Sequence, residues 1–285
     1  MNLRGAFMRY ERLELKNYFD FIGKNGANPT LDIYLPYNMV EMNRQNQKRP
    51  CMVICPGGGY GMCSEREWEP VALHLLPEGF NCFVLKYSCA PFRFPTQIRE
   101  VAAVMELIYK NADEWNCDTS KIAIMGFSAG GHLAAHYSTM YDCREVREVF
   151  PESKSVNASV LCYPVITADK KYAHEGSFVN LVGHYPENEE ELAYFSCDKN
   201  VDKNTPPAFL WHTAEDGCVP VMNSLLYANA LVENKVPVEL HIYPYGGHGL
   251  STCDRHTIDN MTDVIDYNSA WLPSLKKWLR LTFDL

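Results

Sequence analysis

The fold of this chain is decided by the stretch KIAIMGFSAGGHLAA at positions 121–135. Its first residues are mostly apolar and its last residues are small, so the sequence predicts a strand that runs directly into a helix. The turn between them has the pattern G-x-S-x-G, with Ser128 between Gly126 and Gly130. Such a turn holds a serine in a strained conformation at the carboxyl end of the strand, above a helix N-terminus. We therefore predict that Ser128 is a nucleophile.

A second glycine-rich turn, PGGGY at positions 56–60, directly follows a predicted strand at 52–55. Consecutive glycines let the backbone direct N–H groups at the position where a reacting carbonyl oxygen gains charge. We expect the N–H groups of Gly58, Gly59 and Ala129 to form an oxyanion hole. A plain glycine turn is the alternative interpretation of this segment taken alone.

The chain offers a base and an acid in loops that follow two later strands. Asp216 follows the predicted strand 208–213, and His248 follows the predicted strand 238–243. The order serine, acid, histidine is the one in which a hydrolase built around such a turn supplies its catalytic groups. We predict that His248 is the base and that Asp216 orients it. Glu215, the adjacent acid, is a competitor for the second role.

Predicted strands alternate with amphipathic helices along most of the chain. This alternation is typical of the α/β class, with a mostly parallel sheet and helices on both of its faces. The clearest strands lie at 52–55, 82–87, 121–127, 159–165, 208–213 and 238–243, and the clearest helices at 97–115 and 221–234. The segment 31–35 is expected to belong to leading antiparallel strands at one edge of the sheet.

A single domain is expected over residues 1–285, with one insertion. The segment 168–204 breaks the alternation, because it is longer than an ordinary connection between a strand and a helix. We predict that it forms a small cap-like insertion. Its acidic run at 187–191 indicates the first turn of a short helix, where the helix dipole favours negative charge.

The composition excludes several classes of partner. A formal net charge of −9 leaves no broad positive surface, so no nucleic-acid partner is expected. No stretch is long and apolar enough to span a bilayer, and residues 1–11 lack the apolar core of a secretion signal. These features predict a cytoplasmic protein without a membrane partner, in which the eleven cysteines are reduced.

Metal binding has little support in the sequence. His132 and His136 have the i, i+4 spacing of a zinc site, but no third ligand accompanies them. Cys51 and Cys55 likewise lack a second matching pair. We therefore expect neither a metal nor an organic cofactor, and we expect the two histidines to pack against the sheet.

Taken together, these motifs resemble a known group of proteins. The chain is similar to α/β-hydrolase esterases of the lipase and acetyl-xylan-esterase-like kind, including carbohydrate esterases that have PGGGY in the oxyanion loop. The matching stretches are PGGGY (56–60), SEREWEPVALHLL (64–76), LKYSCAP (85–91), GFSAGGHLAA (126–135), PPAFLWHTAEDGCVPVMNSL (206–225) and GGHGL (246–250). The resemblance implies the roles assigned above to Ser128, Asp216, His248, Gly58 and Gly59.

The resemblance also implies a substrate class, namely small carboxylic esters and in particular acetyl groups on xylo-oligosaccharides. Tyr60 and Trp68, close in sequence to the predicted oxyanion loop, are expected to contact a sugar ring. Phe178 and Tyr185 in the insertion offer similar aromatic surfaces, and packing is the alternative for each of these residues. The segment 64–67 either lines the same site or forms a helix capping box.

Two other functions stay open at this stage. A serine peptidase of the same fold would use the same three side chains, and a catalytically silent binding module would keep the fold without the reaction. A homo-oligomer is also compatible with the sequence.

Overall fold

The computed structural model describes residues 7–285, whose centre is an eight-stranded sheet. The strands are β1 (Arg9–Glu14), β2 (Thr30–Leu35), β3 (Arg49–Cys55), β4 (Asn81–Lys86), β5 (Cys117–Phe127), β6 (Ala158–Cys162), β7 (Ala208–Thr213) and β8 (Val238–Tyr243). Their order is β1-β2-β4-β3-β5-β6-β7-β8. Strand β2 runs antiparallel to both of its neighbours and every other pair is parallel, which confirms the predicted class and the antiparallel edge.

Helices cover both faces of the sheet. The α-helices are α1 (Glu69–Leu75), α2 (Thr96–Lys110), α3 (Ala129–Met140), α4 (Arg144–Arg147), α5 (Glu175–Val182), α6 (Glu189–Phe195), α7 (Met222–Glu233), α8 (Asp263–Asn268) and α9 (Trp271–Phe283). Short 3₁₀ turns lie at Leu15–Asn17, Val40–Met42, Glu65–Glu67, Leu76–Glu78 and Cys197–Lys199. Helices α2, α3 and α7 pack in the core on one face, and α1 and α9 pack in the core on the other.

The central strands are buried on both faces, as a parallel sheet between two helical layers requires. All seven residues of β3 are buried. Val53 contributes to the core beneath α2 and α3, whereas Met52 and Ile54 contribute to the core beneath α1 and α9. Because β3, β5, β7 and β8 are all parallel, their carboxyl ends lie at the same edge of the sheet.

One strand ends earlier than predicted. The sequence indicates a strand at 159–165, but β6 ends at Cys162. Tyr163 has a φ of 37°, which turns the chain out of the sheet. The N–H of Val165 then donates to the carbonyl oxygen of Ser128 at 3.0 Å, so these residues support the serine turn instead of extending the strand.

The segment 168–204 contains α5, α6 and the turn Cys197–Lys199. The side chain of Asn188 caps α6 by accepting the N–H of Glu191 at 2.9 Å, which confirms the helix start predicted from the acidic run. Phe178 and Phe195 are buried in the core beneath this segment. A capping role for the segment stays a prediction.

Among residues 7–285, no helix combines the length and the apolar character needed to cross a membrane. The prediction of a cytoplasmic location rests partly on residues 1–11, of which residues 1–6 lie outside the described residues. All eleven cysteines lie within the described part of the chain and are free thiols.

Candidate active site

Ser128 lies at the junction of β5 and α3 with a φ of 52° and a ψ of −119°, a conformation that non-glycine residues rarely adopt. Its N–H donates to the carbonyl oxygen of Cys162 at 3.0 Å. Its own carbonyl oxygen accepts the N–H groups of His132 and Val165. These bonds to α3 and to the chain around β6 hold the strained turn that the sequence predicted.

Three side chains from different loops form one hydrogen-bonded row. His248 Nε2 lies 2.8 Å from Ser128 Oγ, and His248 Nδ1 lies 2.6 Å from Asp216 Oδ2. The carboxylate can only accept, so Nδ1 carries the proton and Nε2 is free to accept the serine hydroxyl. The structure thus brings together the three residues that the sequence selected from loops after β5, β7 and β8.

The carboxylate of Asp216 is oriented by its own loop. Its Oδ1 accepts the N–H groups of Cys218 at 2.9 Å and of Val219 at 2.8 Å. Burial favours the neutral acid, but hydrogen bonds from His212 and His248 outweigh it and hold the pKa of Asp216 below its ordinary value. Asp216 is therefore an anion that can stabilise a positive charge on His248.

His212 is a second histidine on this carboxylate, and no motif in the sequence indicated a role for it. Its Nε2 lies 3.2 Å from Asp216 Oδ2 and 2.9 Å from the carbonyl oxygen of Val219. Both are acceptors, so Nε2 carries a proton, and Nδ1 can accept the hydroxyl of Ser224 at 2.8 Å. Its position four residues before Asp216, at the end of β7, is a signal that could have identified it.

Glu215, the competing acid, lies elsewhere. It is exposed, and its carboxylate accepts the N–H of Gly246 at 3.3 Å instead of bonding to His248. The structure therefore places Asp216, and not Glu215, behind the imidazole.

The glycine turn presents unpaired N–H groups close to the serine turn. Gly58 has a φ of 124°, and a Cβ built on it would lie 2.3 Å from the carbonyl oxygen of Met62, so only glycine fits. Within the described part of the chain, the N–H groups of Gly58, Gly59 and Ala129 have no acceptor. Ala129 begins α3, where N–H groups lack partners inside the helix. The sequence predicted these three N–H groups as donors to an oxyanion, and that role stays a prediction.

Tyr60 does not have the role predicted for it. Its ring is only 1% exposed, and its hydroxyl is 2.8 Å from Nδ1 of His132. It also packs edge-on against Tyr87. The expectation that Tyr60 contacts a sugar ring is wrong, because the side chain fills the core beneath the glycine turn.

Trp68 is half-buried beneath Lys86, whose Nζ lies 3.9 Å from the centre of the indole ring. It lines surface depressions on either side of Glu65, and neither depression includes Ser128 or His248. This placement is contrary to the expected contact with a sugar at the serine.

The two aromatic residues singled out in the insertion also pack inward. Phe178 is 1% exposed and lies edge-on to the ring of His132, with the centroids 5.3 Å apart. Tyr185 donates its hydroxyl to the carbonyl oxygen of Ala168 and contacts Phe178. Packing, the alternative interpretation, is therefore the one that the structure supports.

His132 and His136 are buried behind the serine turn. Nε2 of His132 donates to the carbonyl oxygen of Phe195 at 2.8 Å, and burial lowers the pKa of His132 to about 4. Within residues 7–285, no group of three or more histidine, cysteine or acidic side chains is arranged to hold a metal ion.

Two polar side chains flank the site. A Cβ built on Gly59 would lie 3.8 Å from Cε1 of His174, so the insertion approaches the oxyanion loop through this imidazole. Partial burial and the proximity of His248 lower the pKa of His174. On the other side, a Cβ built on Gly249 would lie 2.9 Å from the guanidinium of Arg66.

The segment 64–67 is not a capping box, because the side chain of Ser64 makes no cap hydrogen bond. Glu67 turns inward instead and is 2% exposed. Its carboxylate lies beneath the glycine turn, where its Oε2 accepts the N–H of Gly57.

The sheet order and the serine turn, with an acid and a histidine after β7 and β8, define the class as an α/β hydrolase. The family model described as BD-FAE matches residues 31–231, and the chain belongs to this family. A solved relative, the acetyl ester-xyloside bifunctional hydrolase of Caldicellulosiruptor lactoaceticus, is 34% identical, with a TM-score of 0.81 over 97% of each chain.

Two curated relatives extend the comparison. The chain is 37% identical, over 86% of its length, to endo-1,4-beta-xylanase B of Butyrivibrio fibrisolvens, and 32% identical, over 83% of its length, to an acetylxylan esterase of Xylanibacter ruminicola. It spans 38% and 46% of those two proteins. The resemblance to acetylxylan-esterase-like members of the α/β-hydrolase esterases is confirmed.

Proposed function

We propose that this protein is a serine carboxylic-ester hydrolase that removes short acyl groups, acetyl in particular, from carbohydrates such as xylo-oligosaccharides. The observation that carries the proposal is the hydrogen-bonded row from Ser128 through His248 to Asp216, next to the unpaired N–H groups of the glycine turn. A row of this kind serves covalent catalysis on acyl groups.

In the first half of the reaction, Ser128 Oγ attacks the ester carbonyl carbon while His248 Nε2 takes the hydroxyl proton. Asp216 stabilises the imidazolium that forms. The negative charge moves to the carbonyl oxygen, which receives hydrogen bonds from backbone N–H groups at Gly58, Gly59 and Ala129. The imidazolium then gives its proton to the leaving alcohol, the C–O bond breaks, and an acyl-serine remains.

In the second half, a water molecule takes the place of the alcohol and gives a proton to His248 Nε2. Its oxygen attacks the acyl carbon, and the same N–H groups stabilise the second oxyanion. The bond to Ser128 Oγ then breaks, Oγ recovers its proton from His248, and the carboxylic acid leaves. These steps need only groups of the chain itself and water.

Carbohydrate substrates are supported by the relatives and by the rim of the site. Two of the relatives are named as an acetylxylan esterase and as an acetyl ester-xyloside hydrolase. Arg66 and His174 flank the loops of the triad and of the oxyanion, where polar side chains can hydrogen-bond the hydroxyl groups of a sugar alcohol.

The first test uses p-nitrophenyl acetate and a fluorophosphonate probe. Ser128→Ala and His248→Ala should each lower kcat by about a thousandfold or more, and the double variant should be little worse, because the residues act as a unit. The probe should label the wild type and leave Ser128→Ala unlabelled. EDTA should not change the activity.

The acid assignment has its own control. Asp216→Asn should lower kcat severely, because the amide no longer stabilises the imidazolium. Glu215→Gln should keep kcat close to that of the wild type.

Near-normal turnover by a folded Ser128→Ala variant would refute the proposal. An unlabelled, inactive wild type would favour a silent binding module, and cleavage of p-nitroanilides in preference to esters would favour a peptidase. The cytoplasmic location and a homo-oligomeric state stay predictions.

A further inference from the structure

A buried carboxylate outside the triad joins the loops of the candidate active site. Glu67, the last residue of the turn Glu65–Glu67, is 2% exposed. Its Oε2 accepts the N–H of Gly57 at 2.7 Å, and its Oε1 lies 2.6 Å from the hydroxyl of Tyr163. The two bonds connect Glu67 to the loop after β3 and to the turn after β6.

Tyr163 extends this connection to the histidine loop. Its hydroxyl oxygen accepts the N–H of Ser251 at 2.9 Å, and its ring packs edge-on against the ring of His248, with the centroids 5.0 Å apart. The hydroxyl of Ser251 also donates to the carbonyl oxygen of Arg66 at 2.6 Å, next to Glu67. The loops after β3, β6 and β8 therefore meet at one carboxylate.

The two hydrogen-bond donors around Glu67 favour its ionised form. The Tyr163 oxygen already accepts the N–H of Ser251, so its own proton points to Glu67 Oε1. The other oxygen of the carboxylate faces the N–H of Gly57, which is also a donor. Burial raises the pKa of Glu67, and these two donated bonds oppose the rise.

The carboxylate lies directly behind the reacting groups. A Cβ built on Gly57 would lie 2.8 Å from Glu67 Oε2 and 3.0 Å from the Cβ of Ser128, so Gly57 is wedged between the two side chains. Gly57 is followed by Gly58 and Gly59, whose N–H groups have no acceptor among residues 7–285. A shift of Glu67 would therefore move the oxyanion donors relative to the nucleophile.

We propose that Glu67 is a positioning residue that, through Gly57 and Tyr163, fixes the oxyanion loop relative to His248 and Ser128. The inference rests on the proposed esterase function. Preorganised donors are effective only when their geometry is held before the reaction begins, and supporting hydrogen bonds provide that geometry. Glu67 itself does not face a substrate, so its loss should act on kcat and not on KM.

Glu67→Gln and Tyr163→Phe test the proposal with changes that keep side-chain shape. A glutamine amide has a single acceptor, so it cannot accept from both Gly57 and Tyr163 as the carboxylate does. Tyr163→Phe removes only the hydroxyl that joins Glu67 to Ser251. With p-nitrophenyl acetate, each variant should lower kcat by about tenfold to a hundredfold, as small displacements near reacting groups do, with KM within about twofold. The double variant should be little worse than either single one.

Each rate is divided by the concentration of Ser128 that the fluorophosphonate probe labels when labelling is complete. Misfolded protein is not labelled and therefore does not lower the measured kcat. Two matched controls should keep wild-type kcat. One is Glu69→Gln, the same change at an exposed glutamate two positions further along the chain. The other is Tyr137→Phe, the same change at a buried tyrosine whose hydroxyl donates to the carbonyl oxygen of Lys154. An unchanged kcat per labelled serine in Glu67→Gln or Tyr163→Phe would overturn the inference, and so would a loss confined to KM. An inactive wild type would refute the proposed function instead.

Discussion

At the scale of single residues, the site depends on close backbone approaches. Ser128 adopts a φ of 52°, and strain of this kind typically costs about 1–3 kcal/mol. The hydrogen bonds of its N–H and carbonyl groups to neighbouring elements maintain the conformation. A substitution that disturbs the packing around this turn should therefore change activity as well as stability.

Gly57→Ala should be damaging for this reason. Its new Cβ would lie 2.8 Å from Glu67 Oε2, 2.8 Å from the carbonyl oxygen of Phe127 and 3.0 Å from Ser128 Cβ. Phe127 belongs to β5, which is paired on both sides with β3 and β6. We expect kcat with p-nitrophenyl acetate to fall by about tenfold or more and Tm to fall as well. Gly217→Ala, in the loop of Asp216, meets no atom within 4 Å and should behave like the wild type. Equal effects of the two substitutions would contradict this account.

At the scale of elements, helix α2 carries a buried acid whose environment differs from that of Glu67. The carboxyl group of Glu100 lies 2.7 Å from the N–H and 2.5 Å from the hydroxyl of Ser88. A hydroxyl can accept as well as donate, so a protonated Glu100 keeps both bonds. Burial raises the pKa of Glu100 from 4.5 to about 8, so the folded protein holds a proton there that the unfolded chain releases.

This proton makes stability depend on pH. Between about pH 5 and about pH 8 the folded state binds more protons at this site than the unfolded state, so its contribution to the free energy of unfolding falls as pH rises. Glu100→Gln should flatten that dependence, because the amide mimics the neutral acid: its oxygen accepts the N–H and its NH₂ donates to the Ser88 hydroxyl. Denaturant unfolding across this pH range measures the effect.

Glu106→Gln, a half-buried position further along the same helix, is the control and should leave the slope of the wild type unchanged. Parallel curves for the wild type and Glu100→Gln would show that Glu100 does not carry the proton.

At the scale of the whole molecule, the insertion bears on the substrate. Phe178 and Phe195 in the segment 168–204 are buried in the core and do not form a long apolar lid over the serine. These two rings therefore offer no apolar surface to a long acyl chain, whereas the acetyl group needs none. We expect kcat/KM to fall by about tenfold or more from acetyl to octanoyl p-nitrophenyl esters, since lost apolar contacts change specificity by this order.

Acetate release from acetylated xylo-oligosaccharides provides the matching measurement. The wild type should release acetate, and Ser128→Ala should not. A preference for octanoyl esters without acetate release from the sugars would make a general esterase or lipase the better description.

The sequence by itself determined the features that depend on neighbouring residues. Strand and helix periodicity predicted the α/β class, and the glycines around Ser128 and in the 56–60 turn marked where the backbone must bend sharply. Asp216 and His248 each follow a predicted strand of the parallel sheet, and this placed both at the same edge. These signals are local, because periodicity and turn chemistry operate over a few residues.

The tertiary structure alone decided which side chains meet across loops. Glu67 and Tyr163 are separated by 96 positions, and nothing in either local pattern indicates their hydrogen bond. The same holds for Tyr60, which appears in sequence as a rim residue and is buried against His132. Whether a polar or aromatic side chain faces solvent, substrate or core depends on how distant elements pack, and no short stretch of sequence contains that information.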